Sequence, residues 1–222
     1  MMSHSRKLSR LEYGSLLAYT PKPIRGNQES ENSVQIMKAV KNLWMLKDGR
    51  SWIDYYVDEM KSQMAQLPFN KFFVSAALVP IPRSSMMKPD SLWVPREICK
   101  ALEKHGMGIT HELLRRTRPL PKSSRSSAKM RPSPTDHYNS LSCDTLLSPR
   151  FSRVVLVDDI ITRGHTAMGA AWRIAEAYPG ITISVFALIR TVSNPTKFSR
   201  IWDPCVGTLT YRQKDNDVLR RP

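Results

Sequence analysis

Residues 153–166, Arg-Val-Val-Leu-Val-Asp-Asp-Ile-Ile-Thr-Arg-Gly-His-Thr, constrain the fold of this chain more than any other stretch. The apolar run 154–157 is long enough for a strand buried on both faces, the kind found in parallel sheets. Asp158 and Asp159 follow it, then Ile160 and Ile161, then a polar turn of Thr162, Arg163, Gly164, His165 and Thr166. From Thr166 onward Ala167, Ala170, Ala171, Ile174 and Ala175 recur at helical spacing. Strand, turn and helix start together make a backbone anion site, because the first N–H groups of a helix have no intrahelical partner and sit at its positive end. Gly164 allows close approach of a phosphate, and Thr162 and Thr166 add hydroxyls. The two carboxylates beside that site are placed to hold sugar hydroxyls, directly or through Mg²⁺. Read without further context, the same pattern also fits an ordinary βα turn with acids at the strand end.

The four apolar residues, two acids, two apolar residues and Thr-x-Gly-x-Thr turn resemble the phosphoribosyl-pyrophosphate (PRPP) motif of type I phosphoribosyltransferases. Arg163 stands where that motif commonly has Thr or Ala, and is compatible with either a phosphate contact or a solvent-facing side chain. No Walker-type phosphate loop, G-x-x-x-x-G-K-[ST], occurs.

Length and composition set the remaining limits. The 222 residues fit one α/β domain with extensions. The 3 cysteines, Cys99, Cys143 and Cys205, form no C-x-x-C pair, which argues against a zinc ribbon or a disulfide framework and fits a reducing cytoplasm. No apolar run approaches the roughly 18 residues of a membrane span, and the first residues carry no signal-peptide core. A soluble cytoplasmic protein without a membrane partner is the expectation. The net charge of +15 suits a polyanion or a substrate with several phosphates. Nothing resembles a zinc finger or an RNA-recognition signature, so weak nonspecific nucleic-acid binding stays open as the second use of this charge.

Three regions are expected: a basic extension over residues 1–30 lying on the surface, a phosphoribosyltransferase-like domain over 31–191, and a C-terminal hood or tail over 192–222 that folds back over the sheet, with a short strand at 207–211 and a frayed end. Asn32 or Ser33 is expected to cap a first helix that buries Val34, Met37, Val40 and Trp44. Ser51 is expected to start a second, with Ile53, Tyr56, Val57, Met60 and Met64 on one face; such stripes read as core. Residues 72–80 read as the first central strand, and Arg83, Ser84 and Ser85 lie in the turn that follows it. Taken alone that turn is a plain proline turn. In type I phosphoribosyltransferases the loop at this place binds pyrophosphate, so the resemblance makes these three the pyrophosphate-binding candidates.

Residues 110–115 read as a short strand. Residues 116–135 are basic, rich in proline and serine, and too polar to bury enough surface to offset their ordering entropy. That composition fits a solvated linker, and a loop so long inside a compact domain is more often a lid. Lys122, Arg125, Lys129 and Arg131 are its candidate ligand contacts. His137, just after it, reads as a surface or capping residue. Residues 181–189 read as a further buried strand.

Residues 40–191 are further similar to the ComF (competence-type) phosphoribosyltransferase family, through Leu46-Lys47-Asp48-Gly49-Arg50, Val79-Pro80-Ile81-Pro82, Leu114-Arg115-Arg116-Thr117 and Ala187-Leu188-Ile189-Arg190-Thr191. That family's N-terminal zinc module and its Arg-Gly-Phe-Asn-Gln stretch are absent from this sequence. The resemblance implies a central, mostly parallel sheet flanked by helices with a lid loop and a small hood. It implies a phosphoribosyltransferase that uses PRPP and Mg²⁺ and displaces pyrophosphate at ribose C1 with an acceptor the sequence does not identify. Asp158 and Asp159 would be the catalytic and metal-side acids, and residues 162–166 the 5′-phosphate grip. The alternative is a non-catalytic PRPP-sensing or nucleic-acid-binding regulator on the same fold. Either is compatible with a homo-oligomer.

Overall fold

The computed structural model describes residues 8–86, 90–121, 131–146 and 151–222. Its frame is a seven-stranded sheet built from β1 (Arg10–Tyr19), β2 (Ala76–Pro80), β3 (Ile109–Thr110), β6 (Arg153–Ile161), β7 (Thr182–Thr191), β8 (Trp202–Arg212) and β9 (Asp217–Arg221). The order is β3-β2-β6-β7-β1-β8-β9. The pairings from β3 to β1 are parallel, and those of β1 with β8 and β8 with β9 are antiparallel. Two further strands, β4 (Leu114–Arg116) and β5 (Leu141–Cys143), form a small antiparallel sheet of their own.

Helices cover both faces, as buried parallel strands require. On one face α1 (Gln28–Lys41), α2 (Trp52–Ser62) and α3 (Val94–Lys104) bring Val40, Met60 and Leu102 onto Val155, Val157, Phe186 and Leu188. On the other, α5 (His165–Ala177) lays Met168, Ala171 and Trp172 on Val154, Leu156, Val185 and Ala187. The short helix α4 (Pro134–Asn139) presses so closely on α5 that a Cβ at Gly169 would lie 2.6 Å from the Pro134 carbonyl. Among the described residues no helix is long and apolar enough to cross a membrane.

Several sequence expectations are corrected. Residues 10–19 are an interior strand, not part of a surface extension: Tyr13, Leu16 and Leu17 are fully buried. Gly14 and Ser15 dilute the apolar signal there, yet Gly14 is what lets Phe69 pack against the strand, since a Cβ would lie 2.8 Å from it. The first helix is capped by Asn27, whose Oδ1 accepts the Ser30 N–H at 2.9 Å, and it ends at Lys41, leaving Trp44 exposed. Ser51 caps α2 as expected, in a reciprocal capping box with Asp54. The first central strand starts at Ala76, because residues 70–73 form a 3-10 turn. The stretch expected as one strand at 110–115 is split between β3 and β4.

At the C-terminus the strand expected at 207–211 proves longer and gains a partner. Residues 202–212 and 217–221 extend the sheet as a hairpin, with Leu209 fully buried and Val218 nearly so. Leu209→Ala should therefore destabilise the protein by about 2–5 kcal/mol in a urea titration, the usual range for a buried leucine. A change within experimental scatter of wild type would mean that the hairpin is a loose tail.

Candidate functional site

Chain connectivity decides where a ligand can enter this sheet. From β2 the chain runs through α3 to β3 on one side, and from β6 it runs through α5 to β7 on the other. The switch point lies between β2 and β6, and in open α/β sheets ligands bind at the carboxyl ends of strands at such a point. β2 pairs with β6 only as far as Pro80↔Val157, whereas β6 continues beside β7 through Asp158↔Ala187 to Ile161↔Arg190. The acid pair thus projects past the end of β2, where residues 81–85 turn away.

Asp158 and Asp159 are both half-buried. The Asp159 N–H donates to Asp158 Oδ1 at 2.9 Å, and the Ile160 N–H donates to Asp159 Oδ1 at 2.8 Å. Burial pushes the Asp158 carboxyl well above the usual range, the Asp159 carboxylate adds to the rise, and the Lys41 charge works against it. Among the described residues no group of three or more His, Cys, Asp and Glu side chains could hold a metal by itself. Two carboxylates are nonetheless the oxygen donors that Mg²⁺ takes in company with substrate phosphates.

The turn after β6 holds its shape through the C-terminal hairpin. Gly164 has φ +88°, and a Cβ there would lie 2.6 Å from Leu209, so position and packing both require glycine. It caps α5 without a side-chain hydrogen bond, which leaves the first N–H groups of the helix free of a cap acceptor. The His165 ring is fully engaged, with Nε2 at 2.6 Å from Asp217 Oδ1 and Nδ1 at 3.0 Å from the Pro132 carbonyl. Only its backbone N–H is left for a ligand. Thr162 and Arg163 are exposed, and Thr162 Oγ1 lies 2.8 Å from Thr191 Oγ1. Arg220 of β9 donates to the carbonyls of Ile161 and Thr191, tying the two strand ends that flank the turn.

Across the switch point, the Ile81 N–H donates to the Val157 carbonyl at 2.9 Å, and Trp93 Nε1 donates to the Ile81 carbonyl at 2.9 Å. Arg83 is exposed with Nη1 on the Leu92 carbonyl at 2.7 Å, while Ser84 and Ser85 are half-buried. The Leu120 N–H donates to the Ser84 carbonyl at 2.8 Å. The pyrophosphate candidates and the acid pair therefore leave adjacent strands at one edge of the sheet.

The expected lid is shortened at both ends. Arg116 is not a solvated lid cation: it is 6% exposed, with its guanidinium on the carbonyls of Pro82 and Arg83 and on Ser140. Burial lowers its pKa to about 10, with the Asp158 charge opposing the drop. At the other end Ser133 caps α4 in a capping box with Asp136. Arg131 is half-buried. Lys122, Arg125 and Lys129 lie outside the described residues.

His137 is likewise no surface residue. It is 2% exposed, its Nε2 lies 3.4 Å from Thr166 Oγ1, and its Nδ1 has no hydrogen-bond partner among the described residues. Burial first, then the Arg116 and His165 charges, lower its pKa from 6.5 to about 3, against a pull the other way from Asp136. Its signal in the sequence is the Ser-Pro-Thr-Asp capping pattern at 133–136, which places His137 on the first turns of a helix.

This shift fixes a sign. A histidine whose folded pKa is depressed favours the fold above its unfolded pKa of about 6.5, and that contribution is lost as pH falls towards about 3. Within that window this group alone lowers stability by up to about 1.4 kcal/mol per pH unit. Urea titrations between about pH 7 and pH 4 should show His137→Gln losing stability less steeply than wild type by up to that slope. Equal slopes would show that His137 is not held neutral in the fold.

No family model matches the chain, and no curated protein sequence matches it. Among solved structures it is similar to the UMP synthase of Leishmania donovani, at 14% identity and a TM-score of 0.31. The match covers 71% of this chain and 31% of that chain, so this protein spans about a third of its neighbour's length. A superposition this loose assigns neither an activity nor a residue role. What stands is an α/β protein whose central, mostly parallel sheet is flanked by helices.

Proposed function

We propose that this protein is a phosphoribosyltransferase that uses PRPP with Mg²⁺. The observation that carries the reading is the meeting, at one switch point, of an acid pair, the turn that opens α5 and the turn that follows β2. A sugar with phosphate groups at its two ends is the ligand class that uses all three. The finer likeness to the ComF family rests on its sequence segments alone.

In this reading the N–H groups at the start of α5, with Thr162, Arg163 and Thr166, hold the 5′-phosphate at the positive end of the helix. Asp158 and Asp159 hold the ribose hydroxyls and stabilise positive charge that develops on the ring as the C1–O bond lengthens. The turn of Arg83, Ser84 and Ser85 receives the departing pyrophosphate. Mg²⁺ bound with these acids and the substrate would supply neutralising charge for that leaving group. The acceptor's lone pair forms the new bond to C1, the C1–O electrons leave with pyrophosphate, and the acceptor's proton is released. No nucleophilic side chain is needed, because positioning and electrostatics lower the barrier. The expected lid would exclude water from the activated sugar.

Titration calorimetry of the double variant Asp158→Asn, Asp159→Asn tests this directly. Both acids are half-buried towards the carboxyl end of β6 and belong to neither apolar cluster, so the variant is expected to fold. Mg²⁺-dependent PRPP binding should be lost, a drop of roughly a hundredfold or more. Unchanged PRPP affinity in a folded double variant would contradict the reading.

A further inference from the structure

The turn after β2 is shaped by a residue that lies outside it. Arg116, on β4, donates from Nε to the Arg83 carbonyl at 2.9 Å and from Nη2 to the Pro82 carbonyl at 3.1 Å. Its Nη1 donates to Ser140 Oγ at 2.5 Å, and Ser140 Oγ in turn donates to the His137 carbonyl at 2.9 Å. A trans peptide is planar, with its C=O and N–H directed oppositely. The peptide that presents the Pro82 carbonyl carries the Arg83 N–H, and the peptide that presents the Arg83 carbonyl carries the Ser84 N–H. Both carbonyls point inward at Arg116, so both N–H groups point away from it. Neither N–H has a hydrogen-bond partner among the described residues. Successive N–H groups facing one way form an anion-binding concavity.

A buried cation is a costly way to brace a turn, since well-packed apolar residues often serve stability as well or better. The planar fork offers what an apolar side chain cannot, several donors at fixed angles that match two adjacent carbonyls and a hydroxyl. Arg116 is also close enough to Asp158 for the carboxylate's charge to act on it. One buried group therefore sets the turn after β2 in register with the acid pair.

We propose that Arg116 is a positioning residue for pyrophosphate: it fixes the peptides that follow Pro82 and Arg83 so that their N–H groups face the ligand, and it does not touch the ligand itself. This rests on the PRPP reading of the site, and the test keeps the two apart. The full chain is titrated calorimetrically with pyrophosphate in Mg²⁺ and, separately, with ribose 5-phosphate, and wild type is expected to bind both. Arg116→Lys keeps a cation but loses the fork, and should weaken pyrophosphate by roughly tenfold or more with ribose 5-phosphate within about twofold. An equal loss of both ligands would make Arg116 a general brace and overturn the proposal, as would undiminished pyrophosphate binding.

If Arg116→Lys does not fold, Ser140→Ala decides, because it removes one acceptor and leaves the cation in place. Pyrophosphate affinity should then fall roughly three- to tenfold with ribose 5-phosphate unchanged, and no fall would overturn the proposal. A wild-type chain that binds ribose 5-phosphate but not pyrophosphate would overturn the role of this turn alone. Binding of neither would bring down the PRPP reading, and this proposal with it.

Discussion

The parallel pairing of β2 with β6, from Ala76↔Arg153 to Pro80↔Val157, is the constraint on which the site depends. Parallel neighbours lie about 4.8 Å apart and end at the same edge, so whatever follows them emerges side by side. Because β3 and β7 lie on opposite sides of this pair, the two outgoing chains diverge and leave a crevice between the turns. The unequal lengths of the strands add the last element. β2 stops at Pro80 while β6 runs on to Ile161, which sets Asp158 and Asp159 in the crevice as part of a strand held on its other side by β7.

Electrostatics at this edge are arranged in opposition. Burial disfavours the charge on Asp158, and the adjacent Asp159 carboxylate adds to that cost. The counter-charges come from different layers, Lys41 at the end of α1 and Arg116 beneath the neighbouring turn. Under the start of α5, burial first and then the Arg116 charge disfavour a protonated His137. The hairpin of β8 and β9 stiffens the outer side, with Leu209 against Gly164, Asp217 on His165 and Arg220 across the ends of β6 and β7.

Legibility in the sequence followed the range of the interaction. Residues 153–166 were readable because strand, acids, glycine turn and helix start are local signals, and the structure places them as β6, the turn and α5. Ser51 and its capping box were readable for the same reason. Arg116 was not, because its acceptors, Pro82 and Arg83, lie more than thirty residues earlier, and a basic residue beside a polar loop carries no mark of burial. β1 was hidden because Gly14, which makes room for Phe69, and the polar Ser15 lower the apolar average of a window flanked by charged and proline residues. Of the hairpin at 202–221 only a short strand at 207–211 was readable, because half-buried strands beside a parallel core alternate with polar residues, as a surface tail also does.

The most direct measurement of the central claim is amide chemical-shift mapping of the full chain as PRPP is added in the presence of Mg²⁺. The account predicts that the largest changes fall in two stretches distant in sequence, residues 81–85 and 158–166, and titrate together with one affinity. Changes confined to one of the two stretches, or centred on the exposed surface around Met45 and Trp52, would contradict a shared site between β2 and β6.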